Sequence, residues 1–306
     1  MTRHLLDLFE LSDEEVERVL ELSSQLKVNY QRGVRQSLLP GRVMALLFEK
    51  PSLRTRVSFE TAMMHLGGNT LFLGADVGWG KREPTADFAR VLSSYVDVIV
   101  VRAFRHQDVE ELASYSKQPV VNGLTDLAHP CQALADLLTI REIHGSLRDR
   151  RLAYVGDANN VAASLAVACA KLGVRFAIAS PEGYRFDNAF LTRLKQVKPG
   201  FEVEQSTDPR EAVRGAHAVY TDVWTSMGQE AERETRMKAF ANYQVDASLM
   251  KLADAHACFL HCLPAHRGEE VAAVVIDGPQ SAVLQQAENR MHAQKGLLAW
   301  LLDAKV

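Results

Sequence analysis

Short apolar runs recur along the chain, and most give way to polar residues and then to a helical pattern. Such runs are typical of strands buried in a parallel sheet, where helices cover both faces. They occupy residues 43–47, 71–73, 96–101, 119–123, 152–155, 174–179, 201–204, 216–222 and 258–260. The alternation predicts an α/β fold in which mainly parallel sheets are flanked by helices.

The length and a lapse in periodicity predict two domains. At 306 residues, the chain can form two domains of about 150 residues each. Charges accumulate and periodicity fades between Gly145 and Arg151, as is typical of a domain boundary. We predict domains over residues 1–144 and 145–285. A helical pattern near the C-terminus predicts an interdomain helix, so that residues 286–306 complete the first domain.

The charge balance and the cysteines narrow the class of protein. A formal net charge of −3 gives no basic field for nucleic acid. The first residues turn acidic before an apolar signal region forms, and no apolar run reaches membrane-spanning length. We expect a soluble cytoplasmic protein with neither a nucleic-acid nor a membrane partner. The cysteine spacing fits neither a disulfide framework nor tetrahedral zinc, so we expect reduced thiols.

A dense polar cluster lies at the first strand-to-helix junction, in residues 48–60. Ser52 is a predicted N-cap, which places Arg54 and Arg56 in the first helical turn. The helix dipole disfavours cations there by roughly 0.3–1 kcal/mol each. Free N–H groups, hydroxyls and guanidinium groups at one helix start favour a bound anion such as phosphate. The alternative is a capped helix with surface arginines, and the segment alone does not separate the two.

Other polar residues also follow predicted strands, at the end where parallel sheets bind ligands. They are Arg102, His129, Gln132, Asp222 and residues 261–268. Gly156 begins a strand-to-helix loop but lacks the remaining glycines of a dinucleotide fingerprint. In that loop, Asn159 and Asn160 are interpreted as possible helix caps.

Four motifs, taken together and in this order, carry a family resemblance. They are Phe48-x-Lys50-x-Ser52-x-Arg54-Thr55-Arg56, His129-Pro130-x-Gln132, Asp222-x-x-x-Ser226-Met227-Gly228 and His261-Cys262-Leu263-Pro264. They resemble the signatures of the ornithine carbamoyltransferases, within the aspartate/ornithine carbamoyltransferase family. The first two are shared by carbamoyltransferases generally, and the last two point to ornithine.

The resemblance implies an enzyme that transfers the carbamoyl group of carbamoyl phosphate to the δ-amine of L-ornithine, giving L-citrulline and phosphate in arginine biosynthesis. The first domain would bind carbamoyl phosphate, the second would bind ornithine, and a cleft would separate them. No cofactor and no metal are implied. Within the same chemistry, the alternative substrate is a related amine such as putrescine or an N-acylated ornithine.

The same resemblance assigns roles to individual residues. The implied carbamoyl-phosphate contacts are Ser52, Leu53 through its backbone N–H, Arg54, Thr55, Arg102, His129, Gln132, Cys262, Leu263 and Arg290. The implied ornithine contacts are Asn160, Asp222, Ser226 and Met227. The implied catalytic residues are Arg102, His129 and Cys262.

Two residues depart from the family pattern. Leu53 stands where the family often has threonine, which loses a hydroxyl but keeps the backbone N–H. Gly78 stands where relatives often have glutamine or histidine, in a loop that reaches a neighbouring subunit's site. We hypothesise that Lys81 or Arg82 substitutes for that side chain. A shared loop implies a homo-oligomer, and the resemblance implies a trimer with sites at subunit interfaces.

Functions from other classes remain open at this point. An NAD-dependent oxidoreductase fits the α/β pattern but lacks the glycine fingerprint. A non-catalytic binding protein would also share the fold. A zinc site built from His261, Cys262 and His266 is a further alternative, although catalytic or substrate-adjacent roles are favoured for this cluster.

Overall fold

The computed structural model describes residues 2–226 and 230–305. The strands of this part of the chain are β1 (Val43–Phe48), β2 (Asn69–Leu73), β3 (Val98–Arg102), β4 (Val120–Leu124), β5 (Arg151–Val155), β6 (Arg175–Ala179), β7 (Val203–Ser206), β8 (Ala218–Thr221) and β9 (Cys258–Leu260). Its α-helices are α1 (Asp13–Gln31), α2 (Leu53–His65), α3 (Thr85–Tyr95), α4 (His106–Tyr115), α5 (Pro130–His144), α6 (Asn160–Leu172), α7 (Asn188–Val197), α8 (Pro209–Val213), α9 (Arg233–Ala239), α10 (Ala247–Met250), α11 (Ala273–Ile276) and α12 (Val283–Leu301). Short 3₁₀ helices cover Leu8–Glu10, Ala75–Val77 and Glu230–Glu232.

The chain folds into two compact units. Unit 1 runs as far as Leu138 and resumes at Asn289, and unit 2 spans Thr139–Glu288. Both divisions fall inside helices, the first within α5 and the second within α12. Unit 1 therefore receives its last segment from the C-terminal end of the chain.

Unit 1 contains a four-stranded parallel sheet in the order β2-β1-β3-β4. Every residue of β3 and all but the first residue of β1 are buried, as expected for strands with both faces covered. Phe48 pairs in register with Arg102, so the carboxyl ends of these neighbouring strands are level. The polar residues that follow them therefore meet at one edge of the sheet.

Unit 2 contains a five-stranded parallel sheet in the order β7-β6-β5-β8-β9. At its centre, Val155 of β5 pairs with Thr221 of β8. The Thr221 hydroxyl donates to the Val155 carbonyl across 2.6 Å, which fixes the two strand ends. The loop after β5 and the loop after β8 therefore start side by side.

The predicted α/β fold with two mainly parallel, helix-flanked sheets is confirmed. A capping box opens α1: Ser12 accepts from the Glu15 N–H, and the Glu15 carboxylate accepts from the Ser12 N–H. Among the described residues, no helix has both the length and the apolar content needed to cross a membrane.

Candidate active site

The start of α2 forms the first part of the candidate site. Ser52 is the N-cap, and its hydroxyl accepts from the Thr55 N–H at 3.3 Å. Leu53 is the first helical residue, with its side chain 76% exposed, so threonine at this position would not fill a buried space. The helix start thus presents backbone N–H groups and the positive end of the helix dipole.

The two arginines of this turn have different environments. Arg56 pairs with Glu60 across 3.0 Å and lies over the Phe72 ring, 3.8 Å from its centroid. Its side chain is therefore engaged along the exposed flank of α2. Arg54 is half-buried and is the arginine of this turn that stays among the predicted ligands.

Thr55 is the point on which two buried arginines converge. Arg290 of α12 donates to the Thr55 hydroxyl at 2.8 Å, and Arg102 at the end of β3 donates to it at 3.5 Å. All three side chains are buried. Two guanidinium groups held together at a helix start create a strong local positive potential, and a bound anion would offset it.

His129 and Gln132 lie at the start of α5, and both are buried. Burial lowers the pKa of His129 well below its usual value, and the charges of Arg290, Arg102 and Lys50 lower it further. The imidazole is therefore neutral at pH 7. Gln132 donates to Asp136 at 2.7 Å. Its amide oxygen is buried and accepts no hydrogen bond from the described residues, so it is available to a ligand N–H.

Lys50 belongs to this electrostatic environment, although it was predicted only to be part of a motif. Its side chain is buried, and its ammonium group lies 4.8 Å from the centroid of the Phe104 ring. Burial lowers the Lys50 pKa, and the Arg102 charge lowers it further. Its position in the sequence, between a buried strand and an N-cap, was the feature that could have indicated a role in the site.

In unit 2, the loops after β5 and β8 are joined through Asp222. Asn159 caps α6 by accepting from the N–H groups of Val161 and Ala162, and its amide also donates to Asp222 at 3.0 Å. Asn159 thus does more than the predicted capping. Asn160 begins α6 beside it and is half-buried.

Asp222 is buried and also accepts from the Val223 N–H at 2.8 Å and from the Cys262 thiol at 3.1 Å. Its hydrogen-bond donors within the described part of the chain are all neutral. A carboxylate in this position can pair with a substrate ammonium group. Ser226 is half-buried in the loop that follows, and Met227 lies outside the described residues.

A buried histidine–glutamate pair supports Cys262 and Leu263. The Leu263 N–H donates to His261 Nδ1 at 2.9 Å, so His261 carries its proton on Nε2 and donates to Glu270 at 3.1 Å. Leu263 has a left-handed backbone, with φ of 58°, and precedes a cis proline. Because His261 Nδ1 already accepts this N–H, it is not available as a base for the Cys262 thiol. Sequence reasoning missed Glu270, which stands eight residues downstream of Cys262.

The zinc alternative can be compared with the observed clusters. Two groups in the described residues bring possible ligand atoms within 4.8 Å of one another: Asp222 with His261 and Cys262, and His266 with Glu269 and Glu270. The predicted combination of His261, Cys262 and His266 is not among them. Both ring nitrogens of His261 already hold protein partners, so the first group is not preformed for a metal.

The loop that follows β2 carries the second departure from the family pattern. Gly78 has φ of 72°, and a Cβ atom there would lie 2.6 Å from the Arg82 side chain. Lys81 and Arg82 are both exposed. Trp79 is buried in the core of unit 1 and anchors this loop.

Two family models match successive parts of the chain. The carbamoyl-P binding domain of aspartate/ornithine carbamoyltransferase matches residues 3–142, and the Asp/Orn binding domain matches residues 148–301. The chain belongs to the aspartate/ornithine carbamoyltransferase family. Membership of this family argues against the alternative of an NAD-dependent oxidoreductase.

The relatives that it resembles are ornithine carbamoyltransferases. The chain is 52% identical over 303 residues to the ornithine carbamoyltransferase of Anoxybacillus flavithermus, covering 98% of this chain and 96% of that one. It is 50% identical over 303 residues to the anabolic ornithine carbamoyltransferase of Pyrococcus furiosus, with the same coverage. The solved structure of an ornithine carbamoyltransferase from Pyrococcus furiosus superposes with a TM-score of 0.95 at 49% identity, covering 99% of this chain and 98% of the other.

Proposed function

We propose that the chain is an enzyme that transfers the carbamoyl group of carbamoyl phosphate to the δ-amine of L-ornithine, giving L-citrulline and phosphate. The observation that carries the proposal is the convergence of Arg102 and Arg290 on Thr55 at the start of α2. Thr55 and Arg102 lie in the part of the chain that matches the carbamoyl-P binding domain, and Arg290 lies in the part that matches the Asp/Orn binding domain. The name of the anabolic relative supports a role in arginine biosynthesis.

The phosphate is held at the start of α2 in this proposal. Its contacts are Ser52, the Leu53 N–H, Arg54, Thr55, Arg102 and Arg290. Backbone N–H groups at a helix N-terminus favour a phosphate, and arginine stays charged while it binds two of its oxygens. The same groups stabilise inorganic phosphate as it departs, because negative charge accumulates on it as the bond to carbon breaks.

The carbonyl group is activated by hydrogen-bond donors. Attack by the amine gives a tetrahedral intermediate with an oxyanion, and Arg102, His129 and Thr55 are placed to stabilise it. A single such donor typically contributes about 10²–10³ in rate. Because the His129 imidazole is neutral, its N–H serves as a hydrogen-bond donor, and the side chain does not act as an imidazolium acid. The amide oxygen of Gln132 accepts from the carbamoyl NH₂ group.

Ornithine is bound by unit 2 in the same proposal. Asp222 receives the α-ammonium group, because its hydrogen-bond donors in the described structure are neutral. Asn160, Ser226 and Met227 contact the rest of the amino-acid head. Cys262 and Leu263 contact the reacting groups. The δ-amine must lose a proton, since with a pKa near 10.4 only on the order of one molecule in a thousand is neutral at pH 7.

The assembly is part of the proposal. We propose a cytoplasmic homotrimer in which the loop after β2 reaches a neighbouring subunit's site through Lys81 or Arg82. The exposure of both side chains and the missing side chain at Gly78 support this. Carbamoyl-phosphate affinity should fall in Lys81→Ala or Arg82→Ala, and unchanged affinity in both variants would remove the loop from the site. Light scattering on the purified chain measures the oligomeric state.

A citrulline assay tests the function directly. Carbamoyl phosphate is offered with ornithine, putrescine, N-acetylornithine or aspartate, and carbamoylated product and phosphate are both measured. Ornithine should be the preferred acceptor. Product formation with putrescine or N-acetylornithine but not with ornithine would reassign the substrate, and no product with any amine would reject the proposed reaction.

A further inference from the structure

Arg236, on α9, is a buried arginine outside every motif that the sequence singled out. Its side chain is 4% exposed. The guanidinium group makes polar contacts in three directions: Nε donates to the Trp224 carbonyl at 2.5 Å, Nη2 forms an ion pair with Asp157, and Nη1 lies 3.4 Å from Glu232. A planar group with five donors can make all of these contacts at once.

Aromatic rings enclose this guanidinium group. Its central carbon lies 4.9 Å from the centroid of the Tyr184 ring and 5.5 Å from that of Phe240. Trp224 stacks on Phe240, with the ring centroids 6.0 Å apart and an interplanar angle of 20°. Such an enclosure excludes water, which strengthens the polar contacts that Arg236 makes inside it.

Two partners of Arg236, Asp157 and Trp224, belong to the two loops that form the proposed ornithine site. Asp157 precedes Asn159 and Asn160 in the loop after β5, while Trp224 lies between Asp222 and Ser226 in the loop after β8. The loops have a direct link through Asn159 and Asp222. Arg236 is a second link that approaches from α9, and it contacts neither Asn160 nor Asp222 itself.

The ion pair of Arg236 with Asp157 also reduces the repulsion between the Asp157 and Asp222 carboxylates. Burial raises the pKa of Asp157, and the negative charge of Asp222 raises it further, while Arg236 opposes both. Arg236 thus offsets the charge of Asp157 beside the loop that carries Asp222. Loss of the guanidinium group would leave two acidic groups in adjacent loops without that compensation.

We propose that Arg236 is a positioning residue for the amino-acid substrate: it fixes the spacing of the loop after β5 and the loop after β8, and thereby sets ornithine affinity. This inference rests on the proposed function. It assigns to Arg236 an effect on one substrate and not on the other, because every contact described for it lies within unit 2.

Steady-state kinetics with each substrate varied in turn test the proposal. Arg236→Met should raise KM for ornithine by roughly ten-fold or more, which corresponds to about 1.4 kcal/mol. KM for carbamoyl phosphate should stay within about two-fold. Arg236→Lys should not restore ornithine KM, because one ammonium group cannot hold Asp157 and the Trp224 carbonyl in the same geometry. Asp157→Asn should give a smaller increase, since the contact with Trp224 remains.

The matched control is Arg233→Met, one turn earlier on the same helix. Arg233 pairs with Glu269 near the surface and contacts neither loop in the described structure. Exposed pairs of this kind contribute little to stability. Both KM values of this variant should match those of the parent chain.

The double variant of Arg236→Met with Asp157→Asn supplies a second readout. If both residues act through one link, their effects on ornithine KM are not additive. Adding Asp157→Asn to Arg236→Met should then raise ornithine KM by a smaller factor than Asp157→Asn does in the parent chain. If Arg236→Met does not fold, Arg236→Lys and Asp157→Asn carry the test. Unchanged ornithine KM in the folded variants, or a parallel rise in both KM values, overturns the positioning role. Absence of citrulline from the parent chain overturns the proposed function instead.

Discussion

Arg290 donates to the Thr55 hydroxyl across 2.8 Å, although the two residues are 235 positions apart in the sequence. Arg102 approaches the same oxygen, so one hydroxyl organises two buried guanidinium groups. Thr55→Val keeps the shape of the side chain and removes that oxygen. We expect kcat/KM for carbamoyl phosphate to fall by roughly 10²-fold, as for the loss of one oxyanion donor.

Ser58→Ala is the control for this substitution. Ser58 lies on the same helix, and its hydroxyl donates to the Thr55 carbonyl at 3.3 Å rather than to an arginine. Its kcat/KM should stay within about three-fold of the parent value. Near-parent kinetics in Thr55→Val would contradict the proposed role of the hydroxyl.

Leu53 permits a test of a backbone donor. Leu53 is the first residue of α2, where proline is tolerated, and Ser52 before it has the extended backbone that a following proline requires, with φ of −157° and ψ of 111°. Leu53→Pro should therefore fold but lose the N–H, raising KM for carbamoyl phosphate by roughly ten-fold or more, as for a hydrogen bond to a charged group. Leu53→Thr keeps the N–H and should bind carbamoyl phosphate at least as tightly as the parent chain. Equal KM values for the two variants would exclude this N–H from the phosphate site.

The Glu270–His261 pair should stabilise the backbone at Leu263. Glu270→Leu removes the acceptor of a buried histidine N–H, and we expect a loss of about 1–3 kcal/mol in the free energy of unfolding. The alkylation rate of Cys262 should rise as its segment loosens, and the other cysteines are buried. Glu269→Leu, which breaks the pairs of Glu269 with Arg233 and with His266 near the surface, is the control. Equal stability of the two variants in urea unfolding would argue against this support.

Stability should decline in acid because of buried histidines. Burial lowers the pKa of His292 to about 3, with Lys295 and Lys27 adding to the shift. In the unfolded chain the pKa of this histidine is about 6.5, so at pH values between the two pKa values the unfolded state binds more protons. The free energy of unfolding therefore rises with pH across this window and is lost as the pH falls through it. His292→Phe keeps a ring against Tyr30 and should flatten the dependence between pH 5 and pH 7 in urea unfolding. His129 acts in the same direction, so part of the slope should remain.

The exposed residue His256 gives the comparison for that experiment. His256→Gln removes an exposed histidine rather than a buried one and is measured over the same pH range. A slope in His292→Phe equal to that of the parent chain would contradict the assignment to His292.

Most strands could be predicted because strands buried in a parallel sheet have continuous apolar sequences. The exceptions follow from burial. β7 is an edge strand with partly exposed, polar residues, and it lies at Val203–Ser206 rather than at the predicted 201–204. The predicted run at 216–222 extends beyond β8 at both ends, because residues 216, 217 and 222 lie outside the strand ladder.

The parts of the site that escaped prediction depend on distant partners. Spacing alone could not separate Arg54 from Arg56, and the structure does so through Glu60 and Phe72. Asn159 has a local capping role that conceals its bond to Asp222. Arg236 carries no local signal, since its partners lie on loops brought together by the sheet. The individual roles assigned by resemblance stay predictions until the substitutions above are measured.

The division of unit 1 between the two ends of the chain has a consequence for biosynthesis. Arg290 and Asn289, which contact Thr55 and Lys27, are translated only after all of unit 2. At about 5–20 residues per second, the ribosome takes roughly 8–30 s to add that intervening unit. During this interval the nascent N-terminal sheet lacks its closing helix. The first unit to begin synthesis is thus the last to be completed, and its need for chaperones should be greatest while the ribosome is still at work.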